Sequence, residues 1–293
     1  MIDGSTRLVG LIGWPVEHSL SPAIHNAAFE AVGLNWRYVP LPVVPGMEGE
    51  SLRGLAALGF AGANVTVPHK STLVAALDSV TPDAKAIGAV NTIVVRRDGE
   101  ETPSLHGHNT DHAGFVDALQ ATGFDVAGQR AVVVGAGGAA RAVIFGLLAA
   151  GLSEAIVLSR NVERAEQLAE DLGRSDSGRL QAQELTVDVL VESSRTASLL
   201  VNATPVGMWP HEEASVWPEE APLPADLLVY DLVYVPRETR LLRQARDAGA
   251  SGVGGLDMFL EQGARAFTLW TEKEPPKGIM RRACEEQMER RFG

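Results

Sequence analysis

Short apolar runs alternate along this chain with segments in which apolar residues recur at helical spacing, and glycine, proline or small polar residues separate them. Near the middle, Val132-Val133-Val134 predicts a short buried strand, Gly135-Ala136-Gly137-Gly138 a tight turn, and Ala139 to Ala150 an apolar helix. A second strand is predicted at Ala155 to Leu158, so strand, turn, helix and strand follow in the order a βαβ unit requires.

Before this point, Leu8 to Ile12 reads as a strand. A helix follows with Ser21 as N-cap, Pro22 at the first helical position and Gly33 as its stop. Met47 to Leu58 predicts a helix ended by Gly59, and Ala63 to Val67 a strand that runs into Pro68-His69-Lys70. Side chains alternate along a strand, so Asn64 and Thr66 share one face and Lys70 lies just past the end, where an α/β sheet forms its crevice. Ala89 to Val95 predicts another strand with Asn91 near its start, and Gly107 to Asp111 leads into a helix from Ala113 to Ala121 that Asp111 is placed to cap. On residue type alone several of these side chains have structural roles: Ser21 as a cap, Thr66 in a cross-strand pair, Asn91 on a loop backbone.

Beyond the central unit, Leu199 to Asn202 and Leu228 to Asp231 predict further parallel strands, and Thr239 to Ala248 a helix between Pro236 and Gly249. Gly252 to Gly255 reads as a flexible junction, with helices at Asp257 to Thr271 and Ile279 to Met288 after it. Arg174 to Gly178 and His211 to Pro224 read as loops.

Composition narrows the class. A chain of 293 residues with 45% apolar content favours two domains over one. A net charge of −12 with pI near 5.1 argues against binding to nucleic acid or an anionic membrane surface. The single cysteine, Cys284, allows no internal disulfide, no metal site is suggested near it, and neither a membrane span nor a signal sequence is seen. The expectation is a cytoplasmic protein, monomer or homodimer.

The central turn carries the first chemical signal. Gly135, Gly137 and Ala140 satisfy G-x-G-x-x-G/A. The first N–H groups of a helix lack internal partners and carry the positive end of its dipole, so Gly135, Ala136, Gly137, Gly138 and Ala139 are candidates to cradle a dinucleotide pyrophosphate. After the second strand the chain reads Leu158-Ser159-Arg160-Asn161-Val162-Glu163-Arg164. No acid stands where an NAD-binding turn holds the ribose 2′-hydroxyl, whereas Arg160 and Arg164, flanked by Ser159, suit a 2′-phosphate. NADP is therefore favoured over NAD.

Four segments of the first half, His18-Ser19-Leu20-Ser21-Pro22, Asn64-Val65-Thr66-Val67-Pro68-His69-Lys70, Gly88-Ala89-Val90-Asn91-Thr92 and Asn109-Thr110-Asp111, stand in the order seen in shikimate dehydrogenases, and the chain resembles that family from about Gly10 to Pro276. Asn202 to Met208, Tyr230 to Tyr234 and Glu261 to Ala264 extend the resemblance. It implies an α/β protein of two domains: an N-terminal α/β substrate domain, 1–110, completed by C-terminal helices, 256–293, and a Rossmann-type NADP-binding domain, 111–255. Ser19 and Ser21, helped by Tyr234, are implied to hold the substrate carboxylate. Asn64, Thr66, Asn91, Asp111 and Gln262 are implied to bind the ring hydroxyls, with Lys70 as the acid/base group beside Asp111. Thr204, Leu232 and Gly255 are implied to meet the nicotinamide side of the cofactor.

The family reduces 3-dehydroshikimate to shikimate with NADPH on the route through chorismate to the aromatic amino acids. Hydride transfer to a ketone leaves negative charge on oxygen, so the chemistry requires a proton donor within hydrogen-bond reach, and Lys70 is of that type. The chain departs from the family pattern at Ser159, Asn161, His112, Val235 and Asp257, none of which replaces a named catalytic group. Two alternatives are a quinate/shikimate dehydrogenase working oxidatively, against which Ser21 and Arg160 speak, and a dinucleotide-binding redox sensor without turnover, against which Lys70 and Asp111 speak.

Overall fold

The structure, a computed structural model, describes residues 2–97, 99, 102–173 and 179–292. It divides into two compact units, Met1–Thr110 with Leu260–Gly293, and Asp111–Phe259.

The first unit opens with β1 (Arg7–Gly13), α1 (Ser21–Ala31), β2 (Trp36–Pro42), α2 (Glu48–Ala57), β3 (Gly62–Val65), β4 (Ser79–Val80), α3 (Pro82–Ile87), β5 (Thr92–Arg96) and β6 (Ser104–His108). Its sheet has the order β2-β1-β3-β5-β6-β4. Helical crossovers make β1 parallel to both β2 and β3, while β5 runs antiparallel to β3 and to β6, to which a short connection joins it. Ile12, Ala63, Val65 and Ile93 on these strands pack with Leu52, Leu55 and Phe60 in a buried core.

Several expected boundaries move. Leu20, not Ser21, is the N-cap of α1; Ser21 and Pro22 are already helical. The reason is tertiary: Leu20 is fully buried, and the hydroxyl of Ser19, two residues ahead of Ser21, accepts the Ser21 N–H at 3.2 Å. β3 ends at Val65, so Thr66 lies beyond the strand, although its N–H still reaches the Ile12 carbonyl at 2.8 Å. β5 begins at Thr92 rather than Ala89, because Gly88 ends α3 in the left-handed region at φ 69° and commits the following N–H groups elsewhere. Ala89 donates to Ala84 at 3.3 Å and Val90 to the Lys70 carbonyl at 2.7 Å. The sequence pattern predicts no element at β2, β4, α3 or β6: the three strands are interrupted by polar residues, proline or glycine and take their form from neighbouring strands, and α3 is only six residues long, capped by Thr81 with Pro82 at its start.

The second unit contains α4 (Asp111–Gln120), β7 (Arg130–Val134), α5 (Gly138–Ala149), β8 (Glu154–Ser159), α6 (Val162–Gly173), β9 (Leu180–Glu184), α7 (Val187–Ser194), β10 (Leu199–Asn202), β11 (Leu228–Asp231), α8 (Arg240–Asp247) and β12 (Ser251–Gly254). α9 (Leu256–Thr271) starts in this unit and ends in the first, which α10 (Lys277–Phe292) completes. The sheet is parallel at every pairing, with the order β9-β8-β7-β10-β11-β12. Numbered within the unit this is 3-2-1-4-5-6, the doubly wound order of dinucleotide-binding folds, with its switch point between β7 and β10. Both faces are covered. Ala131, Val133, Ala155, Val157, Leu199 and Val201 enter one core, while the alternate residues Val132, Val134, Ile156, Leu158 and Leu200 enter the other. This double burial is why β7 reads as an unbroken apolar run.

The expected flexible junction at Gly252 to Gly255 is instead largely strand: β12 pairs with β11 in register from Leu228 with Ser251 to Asp231 with Gly254. Its small residues hide the strand from side-chain patterns, and the neighbouring strand supplies the ladder. His211 to Pro224 forms turns and bends without helix or strand, and the loop expected at 174–178 lies outside the described residues.

Candidate active site

In the first unit the polar candidates gather where β1 and β3 end and β5 begins. Ser19 precedes α1 and Ser21 is buried in its first turn. Asn64, on β3, is 5% exposed, and both of its N–H bonds are committed, to the Asn91 carbonyl at 3.1 Å and the Thr92 hydroxyl at 3.0 Å. Its carbonyl oxygen accepts from the Tyr38 hydroxyl at 2.9 Å. Asn91 in turn donates to the Thr110 hydroxyl at 2.9 Å and to Gln262 Oε1 at 3.3 Å, and its own oxygen accepts the Thr110 N–H at 2.7 Å. Asn64, Asn91 and Gln262, the last separated from Asn91 by 171 positions in the chain, thus form one hydrogen-bonded set.

Lys70 is half-buried just past Thr66 and is positioned through its backbone. Its carbonyl takes the Val90 N–H, and His69 before it is fully buried, with Nε2 2.7 Å from the Val43 carbonyl and Nδ1 2.9 Å from Glu48. The Glu48 carboxyl is held below its ordinary range by its own backbone N–H and, after a smaller opposing effect of burial, by His69.

In the second unit the glycine turn has the shape expected of a phosphate cradle. Gly135 has φ 119°, and a Cβ there would lie 3.0 Å from the Ala203 carbonyl oxygen, so only glycine fits without strain. Gly137 is exposed and caps α5 with no side chain on the free N–H groups of its first turn. Arg160 and Arg164 are both exposed at the start of α6, where Asn161 Oδ1 accepts the Arg164 N–H at 2.9 Å. Neither guanidinium forms an ion pair among the described residues. Two arginines at the positive end of a helix, neither in such a pair although Glu163 shares the turn, have the charge that suits an anion.

The strand ends beyond the switch point are joined by a second buried network. Asn202 donates to Asp231 at 2.9 Å and to the Val206 carbonyl at 3.1 Å, and accepts both the N–H and the hydroxyl of Thr204 at 3.1 and 2.7 Å. Asp231 also accepts from the Thr239 hydroxyl at 2.6 Å and the Val233 N–H at 3.1 Å. Burial pushes the Asp231 carboxyl up to about 6, against the pull of these donors. The Thr204 loop and the turn bearing Leu232 are thereby fastened to one carboxylate. Gly255 sits so close to that turn that a Cβ would lie 2.1 Å from the Leu232 carbonyl oxygen. Tyr234 stacks on Phe259 at 4.5 Å.

Of the expected residues, Ser19, Ser21, Asn64, Thr66, Lys70, Asn91 and Gln262 lie in the first unit. Asp111, the first residue of α4, lies in the second with Tyr234 and all the cofactor candidates. Sequence reasoning misses Tyr38, Thr92, Thr110, His69, Asn202 and Asp231 as supports. Thr110 and Asn202 fall inside recognised motifs, but nothing local marks Tyr38, which reaches Asn64 only through the parallel pairing of β2, β1 and β3. Among the described residues no group of three or more His, Cys, Asp or Glu is placed to hold a metal ion, and no helix is long and apolar enough to cross a membrane.

A parallel sheet of doubly wound order with a glycine turn at its first strand, in a chain that also carries a mixed α/β unit with polar residues at its strand ends, defines a class: two-unit α/β proteins with a dinucleotide-binding unit. Comparison with known proteins makes it particular. The family descriptions "Shikimate dehydrogenase substrate binding domain", "Shikimate / quinate 5-dehydrogenase" and "Shikimate 5'-dehydrogenase C-terminal domain" match residues 11–93, 117–216 and 255–285. The chain is 48% identical to the shikimate dehydrogenase (NADP(+)) of Moorella thermoacetica over 98% of its own length and 95% of that protein. It resembles a shikimate dehydrogenase solved in complex with NADP+ (TM-score 0.87, 39% identity, covering 98% of this chain and 97% of that one). It also resembles the Thermus thermophilus shikimate 5-dehydrogenase in complex with NADP(H) and shikimate (TM-score 0.82, 40% identity, covering 96% and 99%). The chain belongs to the shikimate dehydrogenase family.

Proposed function

We propose that this protein catalyses the reversible NADPH-dependent reduction of 3-dehydroshikimate to shikimate, a step toward chorismate and the aromatic amino acids. The observation that carries this reading is the amide set of buried Asn64 and Asn91 with half-buried Gln262, near the backbone-anchored Lys70, which suits a compact polyol. Ser19, Ser21 and Tyr234 are the proposed carboxylate ligands. Asn64, Thr66, Asn91, Asp111 and Gln262 are the proposed partners of the ring hydroxyls, and Lys70 and Asp111 the acid/base groups. The substrate-binding part is proposed as 1–110 with 256–293, and the cofactor-binding part as 111–255.

NADP fits the residues present: the uncapped, glycine-lined start of α5 offers N–H groups to a pyrophosphate, and Arg160 and Arg164 offer guanidinium groups to a 2′-phosphate. Gly135, Ala136, Gly137, Gly138 and Ala139 form the proposed cradle, with Ser159 beside the arginines and Thr204, Leu232 and Gly255 toward the nicotinamide. When bound, the nicotinamide supplies a hydride. Lys70 donates the proton that neutralises the oxygen as charge develops there, and the amide set fixes the ring so that orientation is settled before reaction.

Loss of NADPH absorbance on addition of 3-dehydroshikimate tests the reading. Turnover with a kcat/KM preference for NADPH over NADH and for shikimate over quinate is expected; tight NADPH binding without turnover would overturn it. Comparable activity on quinate would instead favour a quinate/shikimate dehydrogenase. The proposed setting is the cytoplasm, with a monomer or homodimer to be distinguished by light scattering.

A further inference from the structure

We propose that Tyr38 is a positioning residue that steadies the Asn64 amide in the orientation Asn91 and Thr92 impose, so that this amide offers a substrate hydroxyl an acceptor and no donor. The inference rests on the shikimate reading of the site, which it deepens.

A primary amide has four hydrogen-bonding valences, two N–H donors and two oxygen lone pairs. At Asn64 both donors point inward. One meets the Asn91 backbone carbonyl, which can only accept, and the other meets the Thr92 hydroxyl, which itself donates to Asn91 Oδ1 at 3.1 Å. Reversing the amide would set its oxygen against the Asn91 carbonyl oxygen. The Tyr38 hydroxyl completes the arrangement by donating to Asn64 Oδ1, which among the described residues leaves one lone pair of that oxygen for a ligand.

Tyr38 is well held for this role. Its ring is 2% exposed and lies face to face on His25, with centroids 4.6 Å apart and planes 6° from parallel. Trp270 closes the group at 5.2 Å from His25 and is itself fixed by donating Nε1 to the Ile93 carbonyl at 2.9 Å. Neither nitrogen of His25 has a hydrogen-bond partner among the described residues, so the imidazole serves as a flat plate. Carried on this fixed ring, the Tyr38 hydroxyl donates to Asn64 Oδ1 at 2.9 Å.

Tyr38→Phe keeps the ring and its stack while removing the donor. For this variant we expect KM for shikimate to rise about tenfold, the effect of one hydrogen bond in a buried network, with kcat within about twofold and KM for NADPH unchanged. Wild-type protein should lose affinity equally for shikimate analogues in which the hydroxyl read by Asn64, at C4 or C5, is replaced by hydrogen or by fluorine, because neither can donate. In Tyr38→Phe, where the oxygen is held less firmly, that same replacement should cost several-fold less than in wild type. A fluoro analogue that binds as well as shikimate at both positions, or a variant whose kcat and melting temperature fall together with no change in analogue discrimination, would overturn the inference. Thr92→Val, which loosens the amide from its other side, should move the same readouts in the same direction. Side-chain amide exchange of Asn64, slow in wild type and faster in Tyr38→Phe, reads the positioning without substrate; equal exchange rates would also overturn it. Wild-type protein inactive on both shikimate and quinate would count against the proposed function alone.

Discussion

In the first unit the candidate binding groups are side chains held by other side chains, Asn64 by Tyr38 and Thr92 and Asn91 by Thr110, whereas in the second they are largely backbone N–H groups held in place by glycines. The mixed sheet of the first unit brings β3 and β5 together in antiparallel fashion and so places two asparagines side by side; the parallel sheet of the second directs helix starts toward one edge. The division follows the ligands proposed for each. Distinguishing one hydroxyl of a small ring from another requires groups of defined polarity, while a pyrophosphate is bound by any array of N–H donors without regard to the side chains that frame it. The two units also bury opposite kinds of titratable group: a histidine without partners in the first, and a carboxylate with three donors in the second.

The largest test of this contrast is Lys70→Ala. If chemistry resides in side chains of the first unit, kcat should fall about 10²- to 10⁴-fold with little change in KM for either substrate; an unchanged kcat removes Lys70 from the reaction. Arg160→Ala addresses a place where the proposed cofactor site of the second unit relies on a side chain. Loss of a charge-assisted contact to a 2′-phosphate should lower kcat/KM for NADPH by about 10- to 100-fold and leave that for NADH nearly unchanged, so an equal fall for both cofactors would return specificity to the backbone.

The two buried groups give smaller effects of opposite sign. Burial pushes His25 down to about 3, so below its ordinary value the unfolded chain takes up a proton that the folded one refuses. Its contribution is intact above about pH 6.5 and is lost as pH falls, by ~2 kcal/mol at pH 5. His25→Phe should abolish that slope, and unfolding curves for the two proteins that stay parallel between pH 7 and 5 would contradict the assignment. Asp231, raised to about 6, behaves in reverse: the folded state holds the proton more tightly, so stability is greatest at low pH and is lost as pH rises through 6. Acidification from pH 7 to 5 should gain ~1 kcal/mol at this site, a gain absent from Asp231→Asn.

How much of this is legible in the sequence follows the same division. The glycine turn can be read because a backbone requirement leaves its mark on residue type: only glycine tolerates φ 119° at position 135. Lys70, Asn64 and Asn91 stand out because they sit in recognisable motifs at strand ends. Tyr38 does not, since its role arises from three strands in parallel register, a relation without local signature. β12 reads as a junction because Ser251-Gly252-Val253-Gly254 has almost no side chains from which to infer a strand, and the pattern sets the cap of α1 one position late, at Ser21, because the burial of Leu20 has no local mark.

The Asn91 side chain holds Thr110 by both its N–H and its hydroxyl, and Thr110 is the last residue of the first unit before the chain passes to Asp111. Any dissection of the gene into separately expressed pieces must respect that stitch. A fragment that stops at Asn109 would leave Asn91 Oδ1 without the Thr110 N–H donor at 2.7 Å, whereas one that keeps Thr110 carries its own fastening.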